Sequence, residues 1–171
     1  MKTLIAAAAL LLVVPALAPA QNADHPYYAE GYLLGAGTAT GPAGGGGGEG
    51  IFPNGIGLGG EYVKAASPFG EHIVSVNLFY HFGPSTKKRR FEPFVTGGYT
   101  HFSIPDITLG PAIGGNFGIG ANIWLMRHAA VRVEVRDTIG GRSISEDFEP
   151  WGTSYTAPNN VASFRIGVTF R

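Results

Sequence analysis

Val161-Ala-Ser-Phe-Arg-Ile-Gly-Val-Thr-Phe170 decides how this chain is read. Phe164, Ile166, Val168 and Phe170 recur at a period of two, and Ser163, Arg165, Gly167 and Thr169 fill the positions between them. That is the pattern of a strand with one apolar and one polar face. Its ten residues match the roughly 9–11 that a tilted strand needs to cross a bilayer. An open apolar edge would template aggregation, and pairing the last strand with the first closes a barrel and removes the edge. The stretch points to a small membrane barrel.

Working outward from it, the same alternation recurs. In Ala130–Asp137, Val131, Val133 and Val135 alternate with Arg132, Glu134 and Arg136. His72–Phe82, Phe91–Phe102, Ile113–Leu125 and Ile56–Val63 also read as strands, with Pro93 near a strand start, where a missing donor is tolerated. Tyr27–Thr40 reads as a first strand whose two faces are not cleanly separated, broken by Gly41-Pro42. Gly44–Gly50, all glycine except Glu49, has two readings: a flexible loop, or a Gly-rich strand allowing close approach in a narrow barrel. The count is therefore seven or eight. Bacterial single-chain barrels have even strand numbers, which favours an eight-stranded antiparallel up-and-down transmembrane barrel. The turn at Pro53-Asn54-Gly55 and the basic connection Lys87–Arg90 then lie on the periplasmic side. Longer loops at 64–71, 103–112 and 138–160 lie on the other.

The bulk properties agree with an exported β-protein. Lys2, the apolar run Leu4–Val14, Pro15 and the small residues Ala18-Pro-Ala20 read as a cleavable signal peptide over 1–20, leaving one barrel domain over 21–171. No cysteine is present, so disulfides do not hold the fold, and no later stretch approaches 18 apolar residues. Twelve basic against twelve acidic side chains give no support to nucleic-acid binding. The five histidines, at 25, 72, 81, 101 and 128, lack metal-ligand spacing, and no cofactor is expected.

Alternation alone does not separate a membrane barrel from a soluble one that turns its apolar face inward. Full charges in mid-strand favour the membrane reading, because opposite charges can pair inside a lumen. So do the aromatics near strand ends: Tyr27, Tyr28, Tyr80, Phe82, Phe91, Phe102 and Phe170. An eight-stranded interior is only wide enough for side chains to fill. Glu61, Asn77, His81, Asn122, Arg132, Glu134, Arg136 and Arg165 are thus expected to plug the lumen as a polar network, with Arg165 pairing with Glu134 or Glu61.

Ser75-Val-Asn-Leu-Phe-Tyr-His-Phe82, Pro93-Phe-Val-Thr-Gly-Gly-Tyr99, Phe117-Gly-Ile-Gly-Ala-Asn-Ile-Trp124, Arg127-His128 with Val131–Asp137, and Phe164–Phe170 together resemble the bacterial outer-membrane barrel family that includes the transmembrane domain of OmpA and OmpX. The resemblance implies a non-enzymatic integral outer-membrane protein, surrounded by outer-membrane lipid. Its role would be structural or in surface interaction, through loops whose partner is unknown. It also implies that barrel-assembly machinery reads the apolar face Phe164, Ile166, Val168 and Phe170. Arg171 departs from the family's usual terminal Phe, and the soluble peptidoglycan-binding domain of some relatives is not expected after it. A narrow pore for small solutes is the alternative. A lipid A-modifying hydrolase is a further one: His101 and Ser103 are similar to that family's His/Ser pair, with Asp106, Glu134 or Asp137 as candidate acids. Here Ile104-Pro105 stands where that family has Asn after the serine.

Overall fold

The computed structural model describes residues 28–38, 41–66, 71–82, 90–103, 112–140 and 160–171. The expected signal peptide, Tyr27, Lys87, Asp106 and most of the long loops lie outside these residues. Eight strands follow in order: β1 Tyr28–Thr38, β2 Gly41–Ile51, β3 Ile56–Ala65, β4 His72–His81, β5 Phe91–Ser103, β6 Ala112–Trp124, β7 Ala129–Ile139 and β8 Asn160–Phe170. Each pairs antiparallel with the next, and β1 pairs with β8 in the register Gly31↔Phe170 to Thr38↔Ser163, so the sheet is a closed barrel without an edge.

The Gly-rich run is a strand. Its backbone pairs with β1 on one side and with β3 on the other, and Gly41 and Pro42, expected to break the chain, are its first two residues. The ambiguous faces of β1 have their explanation here. Tyr28, Glu30, Tyr32, Leu34 and Ala36 point inward, and Leu33 is the one large side chain among the outward positions Ala29, Gly31, Leu33, Gly35 and Gly37. The bulk of β1 thus lies over the bare inner face of β2. Register puts Tyr32 beside Gly47 and Gly47 beside Glu61, and the Tyr32 hydroxyl crosses Gly47 to donate to Glu61 Oε2 at 3.2 Å. A Cβ on Gly47 would lie 2.8 Å from the Tyr32 ring, so this glycine makes the space the tyrosine occupies.

Short links join strands at the end where β1 begins and β8 finishes. Between β2 and β3, the Phe52 carbonyl accepts from Gly55 N at 2.9 Å and Asn54 Oδ1 accepts from Ile56 N at 3.1 Å. Gly55 has φ +85°, and a Cβ there would sit 2.5 Å from the His81 carbonyl, so the turn requires glycine. Between β6 and β7 the Ala129 carbonyl accepts from both Leu125 N and Met126 N, at 3.1 Å each.

On the outer wall β4, β6 and β8 present Val74, Val76 and Leu78, Phe117 and Ile119, and Phe164, Ile166 and Val168, with Ile119 63 % exposed to the surroundings. The interior holds the charges: Arg132, Glu134 and Arg136 are at most 2 % exposed. This excludes an apolar-filled soluble barrel for the described strands, since charge inside and hydrocarbon outside suit a bilayer. Tyr80, Phe82, Phe91 and Phe170 face outward near the short-link end. Tyr28 and Phe102, expected among them, follow the inward alternation of their strands.

Candidate functional site: the ionic network in the lumen

A strand turns every second residue to the same face, so β7 alone delivers Arg132, Glu134 and Arg136 to the lumen at intervals of about 7 Å. The remaining members come one or two from each neighbour and from across the barrel. Starting at the short-link end, Arg171 Nη2 lies 2.6 Å from Glu30 Oε1 and 3.1 Å from Glu92 Oε2. His81 bridges Glu92 Oε1, 2.9 Å from its Nδ1, and Glu49 Oε2, 3.0 Å from its Nε2. Glu49 Oε1 takes Arg132 Nη1 at 2.8 Å, and Arg132 Nε is 3.5 Å from Glu134 Oε2. Glu134 Oε1 then takes Arg136 Nε at 2.5 Å, while Glu61 Oε1 accepts from Arg136 Nη1 at 3.0 Å and Arg165 Nη1 at 2.6 Å. The chain of alternating charge is continuous.

Beyond it toward the loop end lie further polar and apolar side chains. Asn116 Nδ2 donates to Asn77 Oδ1 at 2.9 Å and to Thr100 Oγ1 at 2.7 Å, and Thr100 meets Ser75 at 3.0 Å. Tyr32, Leu34, Ala36 and Val63 pack together beside Ala43 and Ile73.

Burying so many charges is costly unless each finds partners. Arg132 shows how the cost is met. Its Nη2 makes no hydrogen bond, but its guanidinium lies 4.3 Å from the Tyr32 ring centroid and 4.1 Å from that of Phe94. Aromatic faces attract the cation where hydrogen bonds are missing. Arg171, just past β8, is held the same way between Tyr28 at 4.2 Å and Trp124 at 4.0 Å. Its burial alone would lower its pKa, and the carboxylates of Glu30 and Glu92 outweigh that, so the net shift is upward.

The network bears on the protonation of His81. Five carboxylates (Glu30, Glu49, Glu61, Glu92, Glu134) face four guanidiniums (Arg132, Arg136, Arg165, Arg171), an excess of acidic groups that favours an imidazolium at His81. The geometry agrees. Nε2 hydrogen-bonds Glu49, and Nδ1 faces Glu92 in a close electrostatic contact that is off hydrogen-bond alignment. A bare ring nitrogen facing a carboxylate at that distance would be repelled, so both nitrogens carry protons. Nitrogen-15 NMR of histidine-labelled protein at neutral pH should therefore show both His81 ring nitrogens protonated. A ring with one bare nitrogen would show that a neighbouring carboxylate holds the proton instead.

All eight residues named from the sequence for the lumen are buried inside the barrel: Glu61, Asn77, His81, Asn122, Arg132, Glu134, Arg136 and Arg165. Asn77 is the one set apart from the ionic chain, in the asparagine–threonine cluster, while Asn122 donates to Glu30 Oε2 at 3.1 Å. Arg165 lies directly across from Glu134 in register but reaches Glu61, because Glu134 is taken by Arg136 and Arg132. Sequence reasoning missed Glu30, Glu49, Glu92, Tyr32 and Arg171. Parity was the available signal: Glu30 shares a face with Tyr32, and Glu92 with Phe94. Phe164, Ile166, Val168 and Phe170 line one outward face of β8.

His101 and Ser103 sit on the outward face of β5. Glu134 is on the opposite side of the barrel wall, and Asp137, although outward, lies two strands away and four residues lower in register. That is about 10 Å across the sheet and about 13 Å along it. Among the described residues no acid is placed to orient this histidine.

No family model matches the chain, and no curated protein matches it. Solved structures do. The N-terminal β-barrel domain of Pseudomonas aeruginosa OprF superposes with a TM-score of 0.63 at 17 % identity, over 85 % of this chain and 97 % of that one. A de novo designed transmembrane β-barrel gives 0.59 at 16 %, over 88 % and 98 %, and Neisserial surface protein A gives 0.52 at 12 %, over 85 % and 97 %. At these identities the likeness is one of fold. The chain is structurally similar to the eight-stranded barrels of bacterial outer membranes.

Proposed function

We propose that this protein is an integral outer-membrane barrel, non-catalytic and with a closed lumen, that serves the envelope structurally or through contacts of its loops. The observation that carries this reading is the pairing of an apolar outer wall with an interior filled by interlocked charge. A filled interior leaves no route for solutes, and a lipid-facing wall has no use in water. On the same reading residues 1–20 are a signal peptide and 21–171 the barrel domain. Outer-membrane lipid surrounds the wall, and assembly machinery engages the outward face of β8 through Phe164, Ile166, Val168 and Phe170.

The test has two parts. Cell fractionation should recover the protein with the outer membrane, and the purified barrel in planar bilayers should give no steady single-channel steps. Recovery in the soluble periplasm would overturn the membrane reading, and steady steps would establish the narrow pore instead.

A further inference from the structure

The outer wall is apolar almost everywhere; apart from Asp137 on β7 and Asn160 at the start of β8, its polar outward residues gather at the loop ends of β3, β4 and β5. Register places Lys64 beside His72 and His72 beside Ser103, in one row across the three strands. In the row beneath, Tyr62 and His101 flank Val74. All of these except Val74 are polar, and all point outward. Among the described residues, no outward position on the other five strands carries a lysine, arginine or histidine, and none on these three carries a carboxylate. Glu71 precedes His72 just outside the strand, where its carbonyl accepts from Ala65 N at 3.0 Å.

Two features make this row more than scattered polarity. Tyr62 stacks on His72, ring centroids 5.7 Å apart, with its hydroxyl hydrogen-bonded to His72 Nδ1. With Nδ1 engaged by the hydroxyl, His72 keeps Nε2 for a further partner, as a donor whenever the tyrosine donates to Nδ1. Lys64 adds a cation, and Ser103 and His101 add further donors within about 10 Å across neighbouring strands. Directly below lie Val76, Leu78, Leu58 and Tyr99, all exposed. Donors and positive charge above, hydrocarbon below: this is the shape of an anionic amphiphile.

We propose that this row docks the phosphorylated headgroup of a lipid in the leaflet on the loop side, with its acyl chains against the apolar rows beneath. The site rests on the reading that the barrel spans the outer membrane. It also gives His101 and Ser103 a role that needs no catalytic acid.

The protein reconstituted in phosphatidylcholine nanodiscs would be doped with lipid A, either phosphorylated or dephosphorylated. Native mass spectrometry should find the phosphorylated form retained preferentially, and the ring resonances of His72 and His101 should shift while those of His81 do not. In the Lys64→Gln/His72→Gln variant, whose changes lie outside the lumen, retention should fall about fivefold or more. Equal retention of the two lipids, undiminished retention by the variant, or equal histidine shifts with inorganic phosphate alone would overturn the site. Failure to insert at all would overturn the membrane reading and the site with it, whereas insertion without phosphate discrimination removes the site only.

Discussion

Glu61→Gln is expected to destabilise the folded barrel by about 3–5 kcal/mol. Glu61 is the shared acceptor of Arg136, Arg165 and the Tyr32 hydroxyl, and all four side chains are buried. Glutamine keeps the shape and removes the charge, so both guanidiniums face a neutral amide. Arg136 retains Glu134, but Arg165 keeps only the Ser163 hydroxyl at 3.2 Å. Removing one partner of a buried pair costs more than the pair is worth, because the other charge stays behind uncompensated. Taking Arg165 away as well should therefore recover part of the loss. Urea unfolding in lipid vesicles, followed by tryptophan fluorescence, would measure all three variants with Arg165→Met as the second change. A Glu61→Gln barrel within about 0.5 kcal/mol of the parent would mean that the cross-lumen pairs contribute nothing.

Gly47→Ala should have the second largest effect, about 1–3 kcal/mol from overpacking plus about 1 kcal/mol if the Tyr32–Glu61 hydrogen bond is lost. The added Cβ would lie 2.4 Å from the Gly60 carbonyl oxygen and 2.7 Å from the Tyr32 hydroxyl. Neither atom can simply move aside: the carbonyl is backbone, and the hydroxyl is tied to Glu61. Gly50→Ala is the control, three residues along the same strand on the outward face with nothing within 4 Å of its Cβ position. It should be neutral or slightly stabilising, since alanine restricts the unfolded chain. Equal effects at the two positions would show that β2 needs glycine for its backbone alone and that making room for Tyr32 is immaterial.

The legibility of the sequence depended on where the bulk of each strand points. β4, β6, β7 and β8 put apolar side chains outward and polar ones inward, so a period of two announces both the strand and its faces. β1 and β2 break this rule together. One carries large residues inward and small ones outward, the other carries almost nothing, and each looks irregular alone because the complementarity runs between strands. Glu49 was hidden for that reason: in a run of glycines there is no alternation to assign it a face. Glu92 was hidden by its position beside Pro93 near a strand start. Arg171 follows the last residue of β8, and only the three-dimensional fold bends it back over Tyr28 and Trp124 to Glu30 and Glu92. The outward row Lys64–His72–Ser103 was equally invisible, since it is made by register across three strands.

The β1–β8 seam has a consequence for how the barrel forms and how long it lasts. It joins the two most distant strands of the chain, with Gly31 opposite Phe170. Contacts so far apart in sequence close late, because the loop entropy is lost before they form. Until they do, Glu61 has no Arg165 and Glu30 has no Arg171, and both carboxylates face an unfinished interior. A half-zipped barrel is thus penalised twice, by its open edge and by its orphaned charges. Closure should be abrupt. Opening must pass back over the same penalised state, so the finished barrel should be slow to unfold.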